Sequence, residues 1–186
     1  MTDYLYYPKP FTLKEGNLLL MRFFNQGDRE GLIELFQEAS EGDLCFLKQD
    51  FQTPQGIDRW LDELRYRQVL PLVVVDLQGH RLVASANLHL GRGGLRHVGE
   101  IHLFISKPFR GLGLGSLLLK ALLDLALDED LQWLQVKVIA EHQEIIHLFR
   151  AHSFAVQTSL KEYFLRQDGV RHDVLLMLRP VLAGDV

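Results

Sequence analysis

The segment Arg110-Gly111-Leu112-Gly113-Leu114-Gly115 constrains this chain more than any other. Three alternating glycines suit neither a strand nor a helix interior. An apolar, strand-like run from Val98 to Ser106 lies just before it, and a leucine-rich run from Gly113 to Asp128 with helical character follows. The segment is therefore a strand-to-helix turn, and the chain must set a strand's end beside a helix's beginning, as α/β folds do. Glycines there let backbone N–H groups approach an anion closely, the helix N-terminus adds partial positive charge, and Arg110 can offer a charged fork. An ordinary tight turn would need the same glycines. Two phosphate motifs are excluded by position. A P-loop needs Lys and Ser/Thr after its last glycine, where this chain has Ser116 and Leu117, and a dinucleotide fingerprint needs glycine at Leu118.

Patterning elsewhere predicts a first strand over Asn17 to Phe24, then a helix capped at Asp28 and running to about Ala39, with Leu32, Ile33, Leu35 and Phe36 at helical spacing. A second helix is expected from Thr53-Pro54 to Arg67. Pro71 to Asp76 and Leu82 to Leu90 read as an antiparallel hairpin. A strand over Leu131 to Ala140, a helix from about Gln143 to His152, and closing strands over Phe154 to Leu165 and Val174 to Leu178 complete the pattern. This order predicts an α/β fold: one domain over residues 1–186, a mixed sheet and helices on both faces.

At 186 residues with 47% apolar content, the chain suffices for one well-cored domain. Its start lacks the basic-then-apolar pattern of a signal peptide, and no apolar run reaches the roughly 18 residues a membrane span needs, which points to a cytoplasmic protein without membrane attachment. A net charge of −4 argues against nucleic acid as a partner. The single cysteine, Cys45, excludes an internal disulfide and reads as a small buried hydrophobe. His142, His147 and His152 recur every five residues, off a common helix face, so no metal site is implied.

With Arg110, Gly113 and Gly115 forming Arg-x-x-Gly-x-Gly behind a strand and ahead of a leucine-rich helix, the sequence resembles the GNAT superfamily of acyl-CoA N-acyltransferases. The resemblance extends through Ile145-Ile146-His147-Leu148-Phe149 to Phe154, and Asp168 to Met177 is similar to the closing strands of bacterial members. It implies a mostly antiparallel sheet and acetyl-CoA as acyl donor. By the resemblance, strand backbone near Leu103 and Ile105 holds the pantetheine arm in a splayed gap before the next strand. Arg110, Gly111, Leu112, Gly113, Leu114, Gly115 and Ser116 take the pyrophosphate. The opening from Leu13 through Arg22 and Asp28 to Phe36 is loosely similar to bacterial protein-lysine acetyltransferase domains.

The implied chemistry needs a neutral amine, whereas a lysine amine with pKa about 10.4 is nearly all protonated at neutral pH. Glu100, ten residues before Arg110, is the candidate base. It lies roughly 17 Å of extended strand from Ile105, and its apolar neighbours Val98 and Ile101 are expected to raise its pKa. His102 shares its face and could orient it or take the proton. Two positions depart from the family: His142 stands where members often carry an Asn that contacts the cofactor, and Phe149 where a Tyr often serves as general acid. Both remain candidate cofactor contacts. The expected function is acetyl transfer to a primary amine, a protein lysine or N-terminus ranking ahead of a small amine. A non-catalytic acyl-CoA sensor and a structural domain using the loop only as a turn are the alternatives, and a homodimer is left open.

Overall fold

Strand alternation fixes two sides of a sheet before any helix is placed. In a computed structural model that describes residues 7–13, 16–40, 43, 53, 55–56, 58, 61, 64 and 68–182, the strands are β1 (Lys9–Thr12), β2 (Leu18–Phe23), β3 (Val69–Asp76), β4 (Arg81–Leu90), β5 (Val98–Ile105), β6 (Trp133–Ile139), β7 (Ala155–Leu165) and β8 (Arg171–Pro180). They form one sheet in the order β1-β2-β3-β4-β5-β6-β8-β7. Every neighbouring pair is antiparallel except β5 and β6. The mixed, mostly antiparallel α/β architecture is therefore present.

Helices cover both faces. Helix α1 (Arg29–Gln37) buries Leu32, Leu35 and Phe36, one stripe at spacings of three and four, against Val73 and Phe104. On the opposite face, α2 (Leu114–Asp128) is apolar around most of its circumference because the sheet lies beneath it and α3 (Gln143–Ala151) packs beside it through Ile146 and Phe149. No described helix is long and apolar enough to cross a membrane.

One irregularity sets which residues face which layer. The β3–β4 register slips after Val74, which pairs with Ala84 while Val75 pairs with Leu82, so Val83 is an extra residue in β4. Beyond it, Ala86 and Leu88 join the core under α2, and Ser85, Asn87 and His89 face the α1 side.

Several boundaries differ from the sequence expectation. Strand β1 was not anticipated, because Pro10 in a four-residue edge strand masks the pattern. Helix α2 starts at Leu114, with Gly113 as its N-cap. Asp28 makes no side-chain cap bond for α1; Asn25 caps a preceding 3-10 turn, and Asp28 closes the reciprocal box by accepting from the Asn25 N–H. Most of the expected second helix lies outside the described residues, as does Cys45.

Asp28 is 7% exposed and takes both terminal nitrogens of Arg22, at 2.7 and 2.6 Å, besides the Asn25 N–H at 2.8 Å. Removing the acid strands a part-buried guanidinium and an amide N–H together. Asp28→Ala is expected to cost about 2–4 kcal/mol, below the upper range for a pair buried on both sides because Arg22 keeps some solvent contact. Urea unfolding checks this, and a loss under about 1 kcal/mol would contradict it.

Candidate active site

Strands β5 and β6 pair only at Val98–Trp133, Gly99–Leu134 and Glu100–Gln135. Past Glu100 they part, which leaves Ile101 to Ile105 and Val136 to Ile139 with facing, unpaired edges. A cavity of about 830 Å³ occupies the opening and is lined at one end by Gly111, Gly113, Gly115 and Ser116. Gly113 sits at φ +88, a left-handed conformation that L side chains resist. That turn aims the first N–H groups of α2, which have no intrahelical partner, at the loop end.

Arg110 is engaged from three sides. Its Nε donates to the Ile105 carbonyl at 2.8 Å, its Nη2 meets Asp43 Oδ1 at 3.1 Å, and the guanidinium lies over the Phe104 ring. Burial pushes the Asp43 carboxyl upward, but hydrogen bonds from Ser40 and the Arg110 charge outweigh that and hold it below its ordinary value. The arginine is thus braced from the α1 side of the sheet.

At the other end of the cavity, Glu100 Oε1 accepts from Lys137 Nζ at 3.0 Å and Oε2 from Gln135 Nε2 at 3.1 Å. His102 Nε2 stands 3.5 Å from Oε1. The expectation that apolar surroundings raise the Glu100 pKa is overturned: its carboxyl is held well below the usual carboxylate range. His102 is the largest influence; burial pulls upward, and Lys137 adds to the downward effect. A carboxylate so well compensated is a weak proton acceptor.

The structure brings Glu100, His102, Leu103, Ile105, Arg110, Gly111, Gly113, Gly115, Ser116, His142 and Phe149 to this one cavity. Leu112 and Leu114 instead send their side chains into the core, so only their backbone can serve a ligand. Phe149 is buried edge-on against Phe154, and His142 is the N-cap of α3 without a side-chain cap bond. Sequence reasoning missed Lys137, Asp43, Ser85 and Asn87. The alternation Ser85, Asn87, His89 within an apolar strand was a legible signal of a polar face; the Glu100–Lys137 pair had none, since it depends on β5–β6 register. Among the described residues, no group of three or more His, Cys, Asp or Glu is placed to hold a metal.

The sequence pattern described as the Acetyltransferase (GNAT) family matches residues 30–154, more than half of the chain. The chain belongs to the GNAT acetyltransferase family. Among GNAT-like relatives, Bacillus subtilis (strain 168) YwnH, provisionally named a phosphinothricin acetyltransferase, is 22% identical over 163 residues, 87% of this chain and 98% of the relative. A phosphinothricin acetyltransferase of the GNAT superfamily from Sinorhizobium meliloti, solved with acetyl-CoA, superimposes with a TM-score of 0.76 at 19% identity, covering 88% of each chain. The spermidine N-acetyltransferase of Vibrio cholerae, solved with CoA and spermine, gives 0.73 at 19% identity over 88% of this chain and 95% of that one. At such identities the structural likeness concerns the GNAT fold.

Within this GNAT fold the Glu100 cluster should be visible in stability. A carboxylate whose folded pKa is depressed stabilises the native state fully above its unfolded pKa, near 4.3, and less as pH falls toward the folded value. The stability lost in Glu100→Gln should therefore be largest near pH 7 and shrink between about pH 5 and 3. Urea midpoints of both proteins across that range check it; a gap that widens on acidification would contradict the assigned direction.

Proposed function

We propose that this chain transfers an acetyl group from acetyl-CoA to a primary amine. The single observation that carries the reading is the continuous cavity between the parted β5 and β6 edges, with the glycine turn and the α2 N-terminus at one end and the Glu100–His102 cluster at the other. An extended pantetheine arm would pair with open strand edges there, while its pyrophosphate meets loop N–H groups. The protein would supply the thioester position and a proton acceptor for the amine. The acceptor amine belongs either to a protein, at a lysine or N-terminus, or to a small molecule; the acetyl-CoA, CoA and spermine bound by the structural relatives fit the same class of reaction.

Since Glu100 is compensated by Lys137, we assign the proton to His102 and give Glu100 the part of its charged neighbour. Histidine is the side chain whose ordinary titration falls nearest physiological pH. Phe149 has no proton to donate to the departing sulfur. A thiol with pKa about 8.5 leaves acceptably without one.

Saturating acetyl-CoA should raise the melting temperature, and calorimetry should find a single site. Gly113→Ala should weaken that binding and cost about 1–2 kcal/mol of stability, as an L residue is forced into the left-handed region. Gly115→Ala should keep the fold, because the added Cβ meets mainly a movable Leu148 methyl at 2.9 Å. No heat of binding and no thermal shift with acetyl-CoA would refute the reading.

Kinetics separate the two candidate bases. His102→Gln should lower kcat/KM about a hundredfold or more, whereas Glu100→Gln should cost markedly less. The reverse pattern would return the base role to Glu100.

A further inference from the structure

Asn87 lies in the middle of β4 and is only 4% exposed, between fully buried Ala86 and Leu88. Its Nδ2 donates to Ser85 Oγ at 3.4 Å, which leaves Oδ1, itself buried, as the other end of the amide. That oxygen has no hydrogen-bond partner among the described residues, yet the side chain lines the large cavity. A buried carbonyl oxygen without a partner costs about 1–3 kcal/mol, so its retention in a native interior calls for a reason. Directly across the β4–β5 ladder stands His102, on the same face. Side chains opposed in this way are about 5 Å apart at Cβ. Among the described residues neither ring nitrogen of His102 has a well-formed hydrogen bond, the nearest contact being Nε2 at 3.5 Å from Glu100 Oε1.

We propose that Asn87 Oδ1 and His102 together hold the two N–H groups of the acceptor's neutral amine, so that the site selects primary over secondary amines. This rests on the acetyl-transfer reading above. A neutral primary amine has two N–H donors and one lone pair. A neutral imidazole has one accepting nitrogen, and the amide oxygen supplies a second acceptor beside it. With both N–H groups held, the lone pair is free to point at the thioester carbonyl carbon. The nitrogen–carbon bond forms as the carbon–sulfur bond breaks, the sulfur leaves with the bonding pair as thiolate, and the proton lost by nitrogen passes to His102. Glu100 does not compete for the amine, because Lys137 and Gln135 already occupy both of its oxygens. A secondary amine brings one N–H and leaves one of the two acceptors unpartnered in a buried site, a loss on the order of tenfold to a hundredfold.

The test uses n-butylamine and N-methylbutylamine as matched probes, with saturating acetyl-CoA and release of free thiol as readout. The wild-type chain should favour n-butylamine by about tenfold or more in kcat/KM. Asn87→Leu keeps the volume and removes the oxygen; it should lower kcat/KM for n-butylamine by roughly tenfold to a hundredfold, change N-methylbutylamine little, and leave acetyl-CoA affinity by calorimetry unaltered. Asn87→Asp retains an accepting oxygen and should preserve the preference. If the leucine variant does not fold, Asn87→Ala replaces it with the same ratio read. A variant that binds acetyl-CoA normally and keeps the wild-type preference would overturn the proposal alone. A wild-type chain that binds acetyl-CoA yet releases no thiol with n-butylamine, spermidine or a lysine-containing peptide would overturn the acetyl-transfer reading, and this subsite with it.

Discussion

The pairing of β5 with β6 governs the rest of the molecule. It is the only parallel contact among the described strands, and it stops after three residue pairs at Glu100–Gln135. Parallel strands need a crossover, and α2 supplies it; the helix therefore has to begin where β5 ends, which brings its N-terminus to the open side of the gap. The glycine turn, the cavity and the Glu100 cluster all follow from strands that meet at one end and separate at the other. Leucines buried along α2 hold that divergence from one face, and Phe36 and Phe104 back it from the other.

Electrostatics inside the gap run against a simple reading of burial. Desolvation alone would favour a protonated Glu100, but His102, two residues along its own strand, and then Lys137, from β6, outweigh it. The same pattern recurs at Asp43, where Ser40 and Arg110 outweigh burial. Glu100 and Asp43 are thereby each matched by a cation within about 3 Å, so neither offers an unbalanced charge to a ligand. Recognition there falls to neutral hydrogen-bonding groups.

Local chemistry was legible in the sequence, and long-range register was not. The glycine turn, its flanking strand and helix, the β3–β4 hairpin and the apolar stripe of α1 declare themselves through periodicity and breakers, and their boundaries moved by only a residue or two. Placement of Glu100 and His102 on one face likewise needed only alternation. The partner of Glu100 could not be read, because Lys137 lies on a strand 37 residues away whose register with β5 has no local signature. The direction of the Glu100 shift was misjudged because burial was weighed without the two neighbours that outweigh it, His102 foremost and then Lys137. Pro10 hid β1 for a different reason, since its lost N–H matters little on an edge strand and the propensity rules penalise it anywhere.

The extra residue at Val83 makes the cavity wall a matter of phase. Strand side chains alternate with a period of two, so whatever lies downstream of one inserted residue is turned over relative to what lies upstream. Ser85, Asn87 and His89 look toward α1 because Val83 is there to be counted. Loss of that one valine, hardly a change in composition or hydropathy, would swing Ala86 and Leu88 toward the cavity and drive Ser85, Asn87 and His89 into the core beneath α2. For relatives of this chain, the length of β4 between the hairpin turn and the asparagine is therefore as much a part of the site as the asparagine itself.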